Sequence, residues 1–384
     1  MLSKLSSVSK SSELHEPFLE YLESPNPYHY SYSSSSPSSS PSPNSGIIDN
    51  NELLKLWTQP IRLFRLANLM RQKSCGDEVS FVINRNINFT NRCVGSCSFC
   101  AFRQNVGYKL SIEAILSRVE EAEQLGATEV CLQGGLDPEM VLEDYCEILE
   151  HIRRSYPRMH LHAYSPMEVL HMSRNSCVPV EDALIELRKS GLGSMPGTAA
   201  EILVDSVRQK ICPEKLTTSE WCHVVSTAHM LGIPTTSTIL YGHVESLEDR
   251  LVHLQVLREI QARTHGFTEF VLLPFMSGNN QLGPLAKPKG ILHHLKMHAL
   301  ARVALYPYIT NIQASWTKLG RIVAGSAIEW GVNDLGGTLM EENISRSAGS
   351  KESQYISTDE LRAVIEAHCR NAIQRTTLYE RLRY

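Results

Sequence analysis

Three cysteines, Cys93, Cys97 and Cys100, fall within one short run, Asn-Arg-Cys-Val-Gly-Ser-Cys-Ser-Phe-Cys. A C-x3-C-x2-C spacing lets three thiolates wrap one iron–sulfur cubane and ligate three of its irons. The fourth iron keeps no protein ligand, and an open iron is a place for chemistry as well as electron storage. Gly95 and Ser96, between the first two cysteines, favour a tight loop folded around a ligand.

Other uses of three thiols fit less well. A structural zinc site needs four closed ligands, usually in pairs a dozen or more residues apart. Within thirty residues on either side of the run, Cys75 is the one further Cys or His, and it has no partner at short spacing. A disulfide would leave one thiol over. The run therefore predicts a 4Fe–4S cluster whose open iron takes S-adenosylmethionine (SAM), a radical SAM site, with zinc as the alternative.

Such a loop needs a frame. From about Val79 short β-rich runs alternate with helical ones, the pattern of βα units around a parallel sheet. Strands are predicted at Val79–Asn88, Glu129–Gln133, His160–Ala163, Gly193–Met195, Thr235–Leu240, Glu269–Leu273, Thr310–Ala314 and weakly before Asn333. Helices are predicted at Ser111–Leu125, Glu143–Arg154, Glu181–Ser190, Ser219–Leu231, Leu247–Ala262, Leu292–Leu305 and Lys318–Glu329. In the first of these, Ile112, Ile115, Leu116, Val119 and Ala122 share one face. The fold class expected is α/β: a TIM-type (βα) barrel of six to eight units. Polar and small residues collect where the strands end, which in such a barrel is one rim and the usual seat of chemistry.

That rim offers further candidates, each with a plainer reading beside it. Phe99 would shield the cluster, or only pack the loop. Gly134 and Gly135 would let the backbone approach the methionine part of SAM, or only make a tight turn. Glu201 would accept the two ribose hydroxyls of SAM, or only favour a helix dipole. His160 and His162 share a strand face, but no carboxylate or third His lies near them in sequence, so metal binding is disfavoured. Hydrogen bonding to a polar substrate by His162, Tyr164 or Ser165 is preferred. Asn333 and Asp334, before Gly336-Gly337, would hold a polar ligand or cap a turn. His293 and His294 are neighbours on a helix and are expected to face solvent.

Composition bounds the rest. The chain has 384 residues, 42% hydrophobic and 20% charged, with a formal charge of −4. That balance fits a globular protein with a sizeable core and leaves no electrostatic footprint for nucleic acid or an anionic membrane. No apolar run approaches a membrane span. Ten cysteines, seven of them scattered singly, point to reduced thiols and metal. Between Ser31 and Ser45 ten residues are serine, so a disordered N-terminal extension is expected over residues 1–50. Ser-richness would suit an organelle transit peptide, but Glu13, Glu16, Glu20 and Glu23, with no arginine before Arg62, argue for a cytoplasmic protein.

Several stretches resemble a known family. Asn86–Arg103, Val130–Leu136, His160–Glu168, Ser194–Leu203, Gly232–Val244, Glu269–Phe275, Asn311–Trp316, Asn333–Gly349 and Arg375–Tyr379 are similar to the radical SAM subunit of FO synthase. That family is the 5-amino-6-(D-ribitylamino)uracil–L-tyrosine 4-hydroxyphenyl transferases of deazaflavin biosynthesis. Met195–Leu203 and Gly336–Arg346 separate the resemblance from the menaquinone-pathway futalosine enzymes, the alternative assignment. A non-catalytic iron–sulfur or zinc module is the second alternative.

The resemblance implies residues 51–78 as a helical lead-in and residues 79–384 as the barrel with a helical end. It implies a 4Fe–4S cluster on Cys93, Cys97 and Cys100, with SAM near Phe99, Gly134, Gly135 and Glu201. On the residue reading above, substrates would meet His162, Tyr164, Ser165, Asn333 and Asp334. Catalysis would need no side chain beyond the cluster and the radical derived from SAM. That radical would take hydrogen from L-tyrosine, whose Cα–Cβ bond breaks, and the 4-hydroxybenzyl group would join C5 of the ribitylaminouracil. Partners implied are a low-potential reductant (ferredoxin or flavodoxin) and a companion radical SAM subunit; nucleic acid and membrane are not. Two departures stand out: the Ser/Pro stretch displaces part of the usual lead-in, and the loop Ser277–Leu282 is short.

Overall fold

In the computed structural model the described residues are 48–104, 107–287, 289–341, 343–349 and 355–382. The Ser-rich stretch lies outside them, and of the extension expected to be disordered over residues 1–50 only 48–50 are described, where the helix Asn50–Thr58 begins.

The predicted first strand is two. Glu78–Val82 (β1) and Asn84–Asn88 (β2) are separated at Ile83. Next come Glu129–Gln133 (β3), His160–Ala163 (β4), Thr235–Tyr241 (β5), Phe267–Pro274 (β6), Ile312–Ala314 (β7), Asp334–Gly337 (β8) and Asn371–Gln374 (β9). All the ladders are parallel: β2-β3-β4 form one sheet and β5-β6-β7-β8-β1-β9 the other.

Bridges at His162–Ser194 and Met195–Thr235 stitch the two sheets through the short Ser194–Met195 segment. On the other side the Asn86 amide donates to the Leu339 carbonyl at 2.8 Å. Thr338 Oγ1 fills the gap at Ile83, accepting from the Asn84 amide (3.1 Å) and donating to the Asn84 carbonyl (2.8 Å). The staves β2, β3, β4, Ser194–Met195, β5, β6, β7 and β8 thus close a barrel of eight, at the upper bound expected.

The helices form the outer ring, and several start on reciprocal caps. Ser165–Glu168, Thr217–Glu220, Ser246–Asp249 and Ser357–Glu360 each close a capping box, worth about 1 kcal/mol apiece. The Ile112–Gln124 helix buries Ile115, Val119 and Ala122, the face read from its periodicity. Helices at Asn50–Thr58 and Pro60–Cys75 supply a lead-in, and the second packs along Ile291–Leu305. Sequence periodicity missed Pro166–Asn175, Asp205–Ile211 and Thr358–Glu366, all ten residues or fewer.

The barrel floor is polar where barrels of this kind usually pack branched aliphatics. Arg375, just past β9, is buried between Asp334 (Nε to Oδ2 2.5 Å) and Glu269 (Nη2 to Oε2 3.3 Å). Thr377 Oγ1 donates to Glu129 Oε2 at 2.6 Å, and Asn84 Nδ2 donates to Glu129 Oε1 at 3.0 Å. The C-terminal segment therefore plugs the end opposite the cysteine loop.

That placement corrects one expectation. Asn333 and Asp334 stand where β8 begins, not where it ends, because Gly336 and Gly337 lie inside the strand. Asn333 Oδ1 accepts from Arg302 Nη2 at 2.6 Å and from the Ile312 amide at 2.9 Å. Asp334 accepts from Ser80 Oγ and Arg375. Both are cross-links of the floor rather than ligand holders. The Gly-Gly pair answers to crowding: a Cβ on Gly337 would sit 2.0 Å from Asn84 Oδ1.

Candidate active site

The cysteine loop leaves β2 at the barrel mouth through a stiff neck. Thr90 and Lys109 form an antiparallel bridge, Thr90 Oγ1 donates to the Tyr108 carbonyl at 2.7 Å, and Tyr108 Oη donates to the Asn88 carbonyl at 3.0 Å. Beyond the neck the Val94 amide donates to the Leu136 carbonyl (3.0 Å), and Arg103 Nη1 donates to the Gly95 carbonyl (2.6 Å). Ser98 is tied to Ile211, and the Leu282 amide donates to the Ser98 carbonyl at 2.9 Å.

Three thiols share this loop. Cys93 and Cys97 are half-buried and Cys100 is exposed. A Cβ built on Gly95 would lie 3.4 Å from Cys93 Sγ and 3.9 Å from Cys97 Sγ, so the two sulfurs flank one small concavity. The Gly95 amide points at Cys93 Sγ, 3.3 Å away. Burial pushes the Cys97 thiol up, and the Lys215 ammonium pulls it back. Among the described residues no three His, Cys, Asp or Glu side chains converge on one point as ligands of a single ion. A cubane asks something else, one thiolate per iron on a loop that can wrap it, and this loop supplies that.

Gly134 and Gly135 are required by the cysteine loop itself. A Cβ on Gly135 would meet the Arg92 carbonyl oxygen at 2.1 Å and Cys93 Cβ at 3.0 Å; one on Gly134 would meet the Phe89 ring at 2.6 Å. Their amides are committed inside the protein, Gly134 to Glu168 Oε1 and Gly135 to the Thr90 carbonyl, both at 2.9 Å. The close backbone approach expected here is therefore made first to the loop that carries the thiols.

Glu201 does not open a helix; the next one begins at Asp205. It is buried in the Pro196–Val204 segment at a φ of 45°, and Lys215 Nζ donates to its Oε1 at 2.8 Å. The same ammonium lies 5.1 Å from the Phe99 ring centroid, so Phe99, Lys215 and Glu201 form one chain leading from the cysteines. Burial alone would lower the Lys215 pKa, but Glu201, with Cys97 and Cys212, raises it, and the side chain stays charged.

His162 faces the barrel interior beneath this rim. Its Nδ1 and His160 Nε2 both pair with Ser194 Oγ at 2.7 Å. Burial drops the His162 pKa to about 4, against the pull of Glu129, so the ring is neutral near pH 7. Sequence proximity hid that carboxylate, since Glu129 pairs with His160 across the β3–β4 ladder.

Two other candidates are corrected. Tyr164 is fully buried, its hydroxyl donates to the Tyr145 carbonyl at 2.8 Å, and its ring packs edge-on against Phe89 and Tyr145. Ser165 caps the next helix, its Oγ donating to Glu168 Oε2 at 2.7 Å. Neither presents a polar group to a ligand. His293 and His294 are not solvent-facing either: Arg250 Nη1 and Tyr241 Oη pair with them, each at 2.9 Å.

Sequence reasoning missed Lys215 and Arg208. Arg208 grips the Glu201 segment, Nη2 donating to the Ala199 carbonyl (3.1 Å) and Nε to the Leu216 carbonyl (2.8 Å). Neither residue sits in a motif, and their helix and turn are too short for periodicity.

Known proteins share these features. Residues 87–257 match the model of the Radical SAM superfamily, whose members use a 4Fe–4S cluster and SAM, and residues 264–383 match the CofH/MqnC C-terminal region. The 5-amino-6-(D-ribitylamino)uracil–L-tyrosine 4-hydroxyphenyl transferase of Archaeoglobus fulgidus is 52% identical over 86% of this chain and 95% of its own length. Transferase 1 of Methanosarcina barkeri is 53% identical over 86% of this chain and 89% of its own. Among solved structures, methylornithine synthase superposes with a TM-score of 0.69 at 17% identity, covering 85% of this chain and 94% of that one. The FeFe-hydrogenase maturase HydG from Carboxydothermus hydrogenoformans gives 0.68 at 15%, covering 87% and 77%. These two show the fold alone. No described helix is long and apolar enough to cross a membrane. By its identity to full-length relatives, the chain belongs to the 5-amino-6-(D-ribitylamino)uracil–L-tyrosine 4-hydroxyphenyl transferase family of radical SAM enzymes.

Proposed function

We propose that this protein cleaves L-tyrosine and joins its 4-hydroxybenzyl group to 5-amino-6-(D-ribitylamino)uracil, a step in the making of the deazaflavin FO. The observation that carries the reading is 52% identity to a transferase of that name, sustained over nearly the whole of both chains.

Cys93, Cys97 and Cys100 would hold the 4Fe–4S cluster, and Phe99, Gly134, Gly135 and Glu201 would line the SAM side of the mouth. When bound, cluster and SAM supply the one-electron chemistry that yields a 5′-deoxyadenosyl radical able to take hydrogen from tyrosine. The chain's own part is to orient the reactants and exclude water. His162, neutral and oriented by Ser194, offers a hydrogen bond inside the barrel without a charge to be solvated. A polar interior suits a ribityl chain and a uracil ring, which an aliphatic barrel would reject.

Cys100 is the exposed thiol of the three, so that side of the loop is open to an electron donor of the ferredoxin or flavodoxin class. A companion radical SAM subunit closes the deazaflavin ring on the released adduct.

The test is an anaerobic incubation of reconstituted enzyme with tyrosine, ribitylaminouracil, SAM and a low-potential reductant, read by mass spectrometry. An adduct carrying the tyrosine-derived benzyl group is expected. Deoxyadenosine formed without any such product would refute the substrate assignment.

A further inference from the structure

The turn between the Asp205–Ile211 and Thr218–Met230 helices reaches into the mouth of the barrel. It is pinned from both sides. Toward the cysteine loop, Ser98 bonds the Ile211 carbonyl through its amide and its hydroxyl. Toward the Glu201 segment, Arg208 holds the Ala199 and Leu216 carbonyls at once. The Lys215 amide closes the turn on the Cys212 carbonyl at 3.1 Å.

Lys215 therefore cannot drift from either neighbour. Its ammonium is mostly buried, 2.8 Å from Glu201 and over the face of Phe99, between the second and third cysteines. A cation confined away from water acts strongly on nearby charge. Among the described residues the hydrogen-bond partner of this ammonium is the Glu201 carboxylate.

We propose that Lys215 is a positioning residue with two effects: it fixes the Glu201 carboxylate at the mouth and raises the reduction potential of the cluster on Cys93, Cys97 and Cys100. The role rests on the cluster reading above. Reduction adds one electron, taken from the external donor, and a neighbouring cation stabilises the more negative product. Glu201 opposes that effect, so the pair sets the potential by difference.

The sign of that difference is measurable without turnover. Anaerobically reconstituted wild type, Lys215→Met, Lys215→Arg and Glu201→Gln would be titrated with a redox buffer in the absence of SAM and followed by EPR of the reduced cluster. Lys215→Met is expected to lower the reduced-to-oxidised ratio at fixed potential about tenfold, a negative shift of about 59 mV for one electron. Glu201→Gln is expected to shift the potential the other way, and Lys215→Arg to stay near wild type. An unchanged or positive shift in Lys215→Met, or shifts of one sign in both neutral variants, would overturn the role. Should Lys215→Met not retain iron, Glu201→Gln decides: a positive shift supports the role and any other result overturns it. A wild-type protein that takes up no cluster would overturn the cofactor reading itself, and this role with it.

Discussion

Ser98 donates two hydrogen bonds to the carbonyl of Ile211, one from its amide and one from its hydroxyl, both 2.9 Å long. A serine in the middle of the cysteine run is thus a bracket between the thiol loop and the segment that carries Lys215. Ser98→Ala removes one of the two bonds, a loss of about 1 kcal/mol. The variant is expected to take up iron normally and to lose its cluster absorbance several-fold faster under chelator. A rate equal to wild type would show that the bracket does not hold the loop.

Gly135 tests the same loop by crowding. A methyl group there would overlap the Arg92 carbonyl and press on Cys93. Overlap with backbone cannot be relieved by a side-chain rotation, so the loop must move. Gly135→Ala should keep its far-ultraviolet circular dichroism and fall well below wild type in iron per chain after reconstitution. Full iron content would contradict the close approach.

Asp334 separates a floor residue from a substrate ligand. Removing its carboxylate leaves Arg375 short of a partner in a buried site, at a cost of about 3–5 kcal/mol. Asp334→Ala is expected to unfold at markedly lower urea while the KM for ribitylaminouracil in the surviving folded fraction stays near wild type. A raised KM with unchanged stability would restore the ligand role given up above.

Buried histidines give the fold a pH dependence with a defined sign. Burial lowers the pKa of His162, His229 and His298 to about 4 and that of His253 to about 3. Each is neutral when folded and binds a proton when unfolded below about pH 6.5. Their contribution is therefore complete above about 6.5 and is lost as the pH falls toward 4. The loss is about 1.4 kcal/mol per unit for each ring. Glu168, pushed up to about 7 by burial, and Glu269, also raised, act in the opposite sense but are outnumbered, since burial lowers His160, His243, His293 and His294 as well. The urea midpoint should drop between pH 7 and pH 5; a flat or rising midpoint would refute the balance.

Much of this was legible in the residues. Cys93, Cys97 and Cys100 announce their chemistry by spacing, and strong periodicity located Leu247–Thr264 and Ile291–Leu305 to within two residues. What failed was information held across strands. Asn333 and Asp334 look like a loop before Gly-Gly, yet the glycines are strand residues made necessary by Gln313 and Asn84 on neighbouring staves. Tyr164 reads as a polar rim residue until Phe89 and Tyr145 close over it. Lys215 had no local signal at all, because Ser98 and Arg208 define its place.

The most direct test compares two cysteines. Cys97→Ala and Cys369→Ala would be reconstituted side by side with iron and sulfide, and both the brown cluster absorbance and the reductive cleavage of SAM recorded. The account predicts that Cys97→Ala loses both together while Cys369→Ala, an exposed thiol, matches wild type. SAM cleavage surviving in Cys97→Ala would contradict it.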